Sequence, residues 1–241
     1  MNQCNGDYMI GKVNSICSLG TVDGPGIRYV IFLQGCNLRC GYCHNPETWN
    51  NCEGNDVSTE ELISKIIRYK SYFKDNGGVT VSGGEPLLQA KFVTDLFKKC
   101  HENGINTCLD TSGTIFNEDV KELLNHTDLV LLDVKFTNEE DYLEYTLGSY
   151  NKVINFLSYL DANNKKVILR QVIVPTLNDS NDNILKLKEL ANTYKCVSNV
   201  ELLPFKRICQ SNYDNLNINF KFNIYDTPSK DLMDKLNKYL K

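Results

Sequence analysis

Tyr29-Val-Ile-Phe-Leu-Gln-Gly-Cys-Asn-Leu-Arg-Cys-Gly-Tyr-Cys-His44 joins an apolar run to a loop that carries three cysteines. Tyr29 to Gln34 is continuous in apolar character and bounded by glycine, the pattern of a strand buried on both faces. Its C-terminal end delivers the cysteine loop, and that is the end where α/β barrels and open parallel sheets place their chemistry. Cys36, Cys40 and Cys43 fall within eight residues, with no fourth cysteine at matching spacing. A structural zinc takes four protein ligands. A four-iron cluster needs a terminal ligand on each iron, so three local cysteines leave one iron open to a small molecule. Zinc stays an alternative with Cys52 as the fourth ligand. His44 is a weaker fourth, because it directly follows Cys43 and adjacent side chains point apart.

Upstream, Ile10 to Ile16 reads as a short extended piece, followed by the turn Gly20-Thr-Val-Asp-Gly-Pro-Gly-Ile-Arg28. Glycines around a proline fix an exposed backbone shape. The turn either launches the next strand or presents a surface to a partner. Downstream, Ser58-Thr-Glu-Glu61 is a capping box that opens a helix with Leu62, Ile63, Ile66, Ile67 and Phe73 as its apolar stripe. Val79 to Ser82 is the next strand and ends in Gly83-Gly-Glu-Pro86. A helix with Phe92, Val93, Leu96, Phe97 and Cys100 inward stops at Gly104, and Asn106 to Leu109 is a strand ending in Asp110-Thr-Ser-Gly113.

The alternation continues with a short helix at 118–125, a strand at Leu129-Val-Leu-Leu-Asp-Val-Lys135, and a helix at 153–160. A strand at 166–174, a helix at 183–194 and a strand at 199–204 complete it. Six strands alternating with helices predict one α/β domain over 1–241 with a parallel sheet, curled by right-handed crossovers into a barrel or part of one. In 207–227, Leu216, Ile218, Phe220, Phe222 and Ile224 alternate with polar residues as in a half-buried strand, although the asparagines also suit an extended flap. Residues 228–241 read as a terminal helix with Leu232, Leu236 and Leu240 inward.

Each polar group of interest follows a strand, so all converge on one rim. Gly83 and Gly84 offer bare backbone for close approach to a ligand, and Glu85 offers a carboxylate to an ammonium group. Asp110 and Asp133 end consecutive strands and repel unless a cation or Lys135 sits between them. Arg170, inside an otherwise apolar strand, needs a carboxylate partner. A ligand with both an ammonium and a carboxylate suits this set, with an internal ion-pair network as the lesser alternative.

The composition is that of an ordinary globular protein, 41% hydrophobic and 23% charged, with a net charge of −4 that argues against a nucleic-acid surface. No apolar run reaches membrane-spanning length. Met1-Asn-Gln-Cys-Asn-Gly6 lacks the basic start and apolar core of a signal peptide, so a cytosolic location is expected. The ten cysteines therefore call for something other than a disulfide framework. Cys17, Cys100, Cys108 and Cys196 sit among apolar neighbours and read as buried thiols, while Cys4 and Cys209 have no partner pattern.

Taken together the motifs resemble those of the radical S-adenosylmethionine (SAM) enzymes. Cys-x3-Cys-x2-Cys, followed one βα unit later by Gly83-Gly84-Glu85, matches the pairing of cluster motif and SAM-amino-group motif in that superfamily. The likeness is finer still. Gly20 to Arg28, the loop ending Tyr-Cys-His-Asn45, Ser82-Gly-Gly-Glu85, Cys108-Leu-Asp-Thr111, Leu132-Asp-Val-Lys135 and Glu201-Leu-Leu-Pro204 stand in the order found in pyruvate formate-lyase-activating enzymes. The match runs over about residues 10 to 205.

This resemblance implies an incomplete (β/α)6 barrel of the radical SAM type, a [4Fe–4S] cluster on Cys36, Cys40 and Cys43, and SAM as cofactor. It also implies that Tyr42, Gly83, Gly84, Glu85, Asp110, Lys135, Arg170 and Val172 contact SAM. Asp110, Thr111, Leu131 (through its carbonyl) and Asp133 resemble the family's monovalent-cation site, and Asp23, Gly24, Pro25, Gly26 and Arg28 its partner surface. The implied chemistry is reductive cleavage of SAM and hydrogen abstraction from a backbone glycine of pyruvate formate-lyase. Reduced flavodoxin or ferredoxin would be the electron donor, and the activase a monomer.

Two departures stand out. Relatives typically continue Leu-Pro-Tyr with a histidine near SAM, where this chain has Leu203-Pro-Phe-Lys206 and so puts Lys206 in that place. Beyond it, Ile208-Cys-Gln210 and an Asn-rich stretch replace the usual closing segment. No second cysteine cluster follows Trp49, so the ferredoxin-like insert of many other glycyl-radical activases is absent, which favours pyruvate formate-lyase as partner. An activase of anaerobic ribonucleotide reductase and a zinc-binding interaction module are the alternative readings.

Overall fold

The structure, a computed structural model, describes residues 8–240; Cys4, the start of the chain and Lys241 lie outside the described residues. The strands are β1 (Ile10–Gly20), β2 (Arg28–Leu33), β3 (Asn55–Ser58), β4 (Gly78–Gly83), β5 (Asn106–Thr111), β6 (Leu129–Asp133), β7 (Lys166–Ile173) and β8 (Val197–Pro204). The helices are α1 (Thr59–Ile67), α2 (Lys70–Phe73), α3 (Ala90–Glu102), α4 (Glu118–Asn125), α5 (Glu139–Thr146), α6 (Tyr150–Ala162), α7 (Asn181–Thr193), α8 (Gln210–Asn215) and α9 (Lys230–Leu240). The strands form one sheet in the order β3-β1-β2-β4-β5-β6-β7-β8. β2 and β4 through β8 run parallel in sequence order, as the alternation predicts. β1 adds antiparallel to the outer edge of β2, and β3 antiparallel to β1. Among the described residues no pairing joins β3 to β8, so the barrel is open.

Period-two alternation divides the strands between two faces. Val79, Val81, Leu109, Val130, Leu132, Val167 and Leu169 pack outward with the inner stripes of the helices, including Phe92, Val93, Leu96, Phe97 and Cys100 of α3. Side chains as large as Phe97 and Phe156 are wholly enclosed there, each contributing about 1.5–3 kcal/mol. The concave face carries a separate small apolar layer of Cys108, Leu131 and Ile168. Asp110, Asp133 and Arg170 stand one pleat nearer the C-terminal rim.

Below that layer lies Arg28, with a relative exposure of 0%. Its guanidinium donates to the carbonyls of Val79 (2.7 Å), Pro25 (3.3 Å), Asn76 (3.4 Å) and Asn106 (3.4 Å) and to Asn106 Oδ1 (3.0 Å). Burial pulls its pKa down, opposed by Cys108 and Asp128. This corrects the expectation that Arg28 belongs to a partner surface. It stops the N-terminal mouth of the barrel and ties the β1–β2 turn to β4 and β5.

Three other sequence expectations are corrected. Residues 207–227 form no strand: α8 and a 3₁₀ turn (Lys221–Ile224) occupy the segment. Phe220 and Phe222 are buried while Leu216, Ile218 and Ile224 are exposed, so the alternation reflects two aromatic anchors rather than a pleat. Phe220 stacks on Tyr213 (4.6 Å between centroids), and Phe222 meets Tyr42, Tyr145, Phe205 and Tyr225. Cys17 lies exposed on β1, and Cys196 is only half-buried, whereas Cys209 is buried. α1 ends before Phe73, which sits on α2, and Ile67 is exposed. No helix among the described residues is long and apolar enough to cross a membrane.

Candidate active site

The rim positions its groups through glycine-dependent crossings. Gly83 adopts φ +113°, and a Cβ there would sit 2.2 Å from the Leu33 amide nitrogen. A Cβ on Gly84 would sit 2.0 Å from the Gly35 carbonyl oxygen. These glycines are therefore required where the end of β4 crosses the cysteine loop, locked by Gly84 N–H to Leu33 O (2.9 Å) and Glu85 N–H to Gly35 O (2.7 Å). Backbone fills the space on the Cβ side of both glycines, while both also line the rim cavity described below.

Glu85 likewise has a different task from the one its sequence position suggests. It is 1% exposed. Oε1 accepts from Thr111 Oγ1 (2.5 Å) and the Leu87 amide (3.1 Å), and Oε2 from the Ser112 amide (2.9 Å) and the Ser112 hydroxyl. A carboxylate has about four acceptor positions, and all are taken. Glu85 holds the Asp110–Gly113 turn against the end of β4 and has no capacity left for an ammonium group.

The cysteine loop is braced from outside. Gly35 N–H donates to Thr48 O (2.8 Å), Arg39 N–H to Thr146 O (2.8 Å) and Gly41 N–H to Tyr145 O (2.9 Å). The last two use carbonyls at the C-terminus of α5, which lack partners within the helix. The C-terminal segment clasps the same loop. His44 Nε2 lies 3.0 Å from Lys206 O, Asn212 Nδ2 donates to His44 O (3.0 Å), and Tyr213 meets Trp49 edge-on. A Cβ on Gly41 would stand 2.1 Å from the Phe222 ring. Sequence reasoning missed α5 and these aromatic contacts; Gly41, between two cysteines, was the one local signal of close packing.

All of this frames one cavity of ≈ 290 Å³ at the C-terminal rim. Cys36, Cys40, Cys43, Tyr42, Gly83, Gly84, Glu85, Asp110, Thr111, Asp133, Lys135, Arg170 and Val172 line it, and so does Asp23 from the β1–β2 turn. That turn reaches across the open barrel: Arg170 Nη2 donates to Val22 O (3.0 Å) and Thr80 Oγ1 to Asp23 O (2.7 Å). Pro25 and Gly26 remain exposed. Leu131 contributes no side chain to the cavity, lying in the layer beneath.

Charge inside the cavity is arranged in pairs. Lys135 Nζ meets Asp133 Oδ2, and Arg170 lies 3.6 Å from Asp110 and 3.5 Å from Glu201. Burial and the neighbouring Asp133 push the Asp110 pKa up to about 7, against Arg170 and the Ser82 hydroxyl. Burial works to lower the Lys135 and Arg170 pKa values but is outweighed, for Lys135 by Asp133 with Tyr42 and Cys40 and for Arg170 by the carboxylates around it, so both rise. Burial also raises Asp23, with Arg170 opposing. Asp110 Oδ1 and Tyr42 OH are buried without a hydrogen-bond partner among the described residues. An ion-pair network is present, and it leaves one carboxylate oxygen of the cavity-lining Asp110 without a hydrogen bond among the described residues.

The donor set fits an iron–sulfur cluster. Burial pushes the thiols of Cys36 and Cys40 up to about 12 and that of Cys43 up to about 11. Such thiols stay protonated until a metal's charge displaces the proton. Among the described residues no three His, Cys, Asp or Glu side chains converge as ligands of one metal ion. A cubane takes each thiolate on a separate iron and needs no such convergence. Cys52 is exposed and outside the cavity. The zinc reading loses its fourth ligand.

Lys206 is exposed and does not line the cavity; its backbone carbonyl, not its ammonium group, makes the contact to the cysteine loop. Lys206→Ala is therefore expected to leave SAM affinity unchanged in an anaerobic titration. A several-fold weakening would show that its side chain swings over the cavity.

Comparison with known proteins agrees with this geometry. The family described as "4Fe-4S single cluster domain" matches residues 22–155. The chain is 45% identical over 234 residues to the pyruvate formate-lyase-activating enzyme of Clostridium pasteurianum, covering 97% of this chain and 98% of the relative. It is 39% identical over 238 residues to the enzyme of that name from Staphylococcus epidermidis, covering 95% of each. Among solved structures, Streptococcus suis SuiB bound to the precursor peptide SuiA shares the fold, with a TM-score of 0.69 at 18% identity over 88% of this chain and 44% of that one. With near-complete coverage by relatives of that name, and with the cluster cysteines and strand-end charges meeting in one cavity, the chain belongs to the pyruvate formate-lyase-activating enzyme family of radical SAM enzymes.

Proposed function

We propose that this protein activates pyruvate formate-lyase by installing a glycyl radical on it. The observation that carries the reading is the meeting of Cys36, Cys40 and Cys43 with Asp110, Lys135, Arg170 and Asp23 in one cavity at the rim of an open parallel barrel. The cluster held there would supply one electron for reductive cleavage of SAM, the chemistry that hydrogen abstraction from the partner's glycine requires.

The three cysteines would hold the cluster. Lys135 and Arg170 keep positive charge on the rim for the SAM carboxylate, and Asp110 Oδ1 accepts a hydrogen bond from its ammonium group or coordinates a monovalent cation. Val172 and Leu203 supply apolar wall, and the closed β4–cysteine-loop crossing keeps water from entering behind the ligand. Asp23, on a turn whose tip stays exposed, positions the incoming glycine loop. Reduced flavodoxin or ferredoxin supplies the electron. The protein acts as a cytoplasmic monomer, which sedimentation equilibrium checks.

The test is electron paramagnetic resonance on reduced, cluster-loaded protein incubated with SAM and pyruvate formate-lyase of the same organism, in potassium and in choline buffers. The expected result is a glycyl doublet that collapses on deuteration of the glycine α-position, with 5′-deoxyadenosine formed alongside, and weaker in choline. Asp23→Ala is expected to lower radical yield about tenfold or more while sparing uncoupled SAM cleavage, since it removes a positioning contact rather than a cluster ligand. SAM cleavage with a radical on anaerobic ribonucleotide reductase instead would sink the assignment.

A further inference from the structure

Tyr213 is 2% exposed, and its hydroxyl is buried without a hydrogen-bond partner among the described residues. A phenol taken out of water ordinarily finds an acceptor. The ring is not free to turn toward one. It stacks on Phe220 at 4.6 Å and meets Trp49 edge-on at 6.0 Å. Its helix, α8, is tied to the cysteine loop by Asn212 Nδ2, which donates to His44 O (3.0 Å).

The groups around the hydroxyl are identified by their electrostatic effect on it. Burial pushes the Tyr213 pKa up, and Cys43, Cys209 and Cys40 add to the rise in that order, ahead of Glu47. Two of these thiols belong to the cluster loop, whereas Cys209 is a buried thiol at the entry to α8. Donors to the ligand sulfurs are already part of that loop. Burial raises Cys43 to about 11, and hydrogen bonds to its sulfur from the Asn45 amide and the Trp49 side chain work against that rise. Cys36 Sγ accepts from the Leu38 amide at 3.4 Å. Tyr213 thus packs against one donor to Cys43 and brings a second beside it.

The orphaned hydroxyl has a simple cause. A neutral thiol is a weak acceptor, and Cys43 holds its proton until iron displaces it. Once bound to iron the sulfur is a thiolate, and a nearby O–H gains a strong acceptor.

We propose that Tyr213 donates a hydrogen bond to the Cys43 sulfur of the bound cluster and thereby raises the cluster's reduction potential. The inference rests on the cluster assignment and goes beyond it, to a residue in the C-terminal segment where this chain departs from the usual closing sequence. Reduction adds one negative charge, shared by the cluster and its ligand sulfurs, so a donor there stabilises the reduced form more than the oxidised one. The phenol keeps its proton.

The test is an anaerobic redox titration of the cluster-loaded protein, without SAM or partner, with the reduced cluster read by electron paramagnetic resonance. The variant is Tyr213→Phe, which removes the hydroxyl and keeps the ring contacts to Phe220 and Trp49. Iron content is expected to match the parent. At the parent's midpoint the ratio of reduced to oxidised cluster is expected to fall about threefold, a shift of about 28 mV to more negative potential, since tenfold corresponds to about 59 mV for one electron.

An unchanged potential at full iron content would overturn the proposal. With a lowered urea-unfolding midpoint as well, it would give the hydroxyl to Glu47, whose Oε2 is likewise buried without a partner among the described residues. A shift to more positive potential would also overturn it, by showing that the variant acts by admitting water. Loss of the cluster from Tyr213→Phe would overturn it too and make the phenol a retention contact. A parent that takes up no reducible cluster would instead sink the cluster assignment, and the activase reading with it.

Discussion

Replacing Cys36, Cys40 or Cys43 singly with alanine is expected to abolish cluster binding and SAM cleavage, while Cys52→Ala changes neither. The three thiols line one cavity and come from one loop, whereas Cys52 is exposed and lies outside that cavity. The loop owes its shape to backbone bonds with Thr48, Tyr145 and Thr146, so removing one sulfur leaves the fold intact. Iron content, the charge-transfer absorbance of the anaerobically reconstituted protein and deoxyadenosine formation read the result together. Full iron and activity in any of the three variants would refute the ligand assignment. Loss of metal in Cys52→Ala would restore the zinc reading.

Glu85→Ala is expected to destabilise the protein by about 3–4 kcal/mol, because it strands four donors now satisfied by a carboxylate that is 1% exposed. The Leu87 and Ser112 amides and the Thr111 and Ser112 hydroxyls all point at its carboxylate. Glu85→Gln keeps the shape but presents an amide NH₂ where donors converge, and should fall between the two. Urea unfolding of the cluster-free chain measures both. A side chain that served only the SAM ammonium group would give the opposite pattern, with weakened SAM binding and an unchanged unfolding midpoint.

The parallel part of the fold was legible because each strand is a compact apolar run and each crossover helix carries a stripe, as in α3. The cavity was legible because chemistry in such sheets gathers at strand C-termini, and Asp110, Asp133, Lys135 and Arg170 all follow that rule. α5 escaped notice because only Tyr142 and Thr146 of Glu139–Thr146 are buried, so no apolar stripe marks it. β3 is short, polar and at the sheet edge. The C-terminal segment misled because Phe220 and Phe222, two residues apart, imitate a strand while serving as separate aromatic anchors. Arg28 and Glu85 were placed correctly along the chain but given the wrong direction. A sequence names a charged side chain without saying whether solvent, ligand or backbone will satisfy it.

The cysteine loop lies near the start of the chain, yet its supports are drawn from Tyr145, Thr146, Lys206, Asn212, Tyr213 and Phe222. A nascent chain emerging N-terminal end first exposes the three thiols long before the residues that close around them exist outside the ribosome. Enclosure of the three thiols is therefore a late step in folding during synthesis. Iron delivered earlier would meet a loop not yet enclosed, and a chain truncated after residue 205 would keep every cluster ligand and the bonds to Thr48, Tyr145 and Thr146 while losing the C-terminal clasp from Lys206, Asn212, Tyr213 and Phe222.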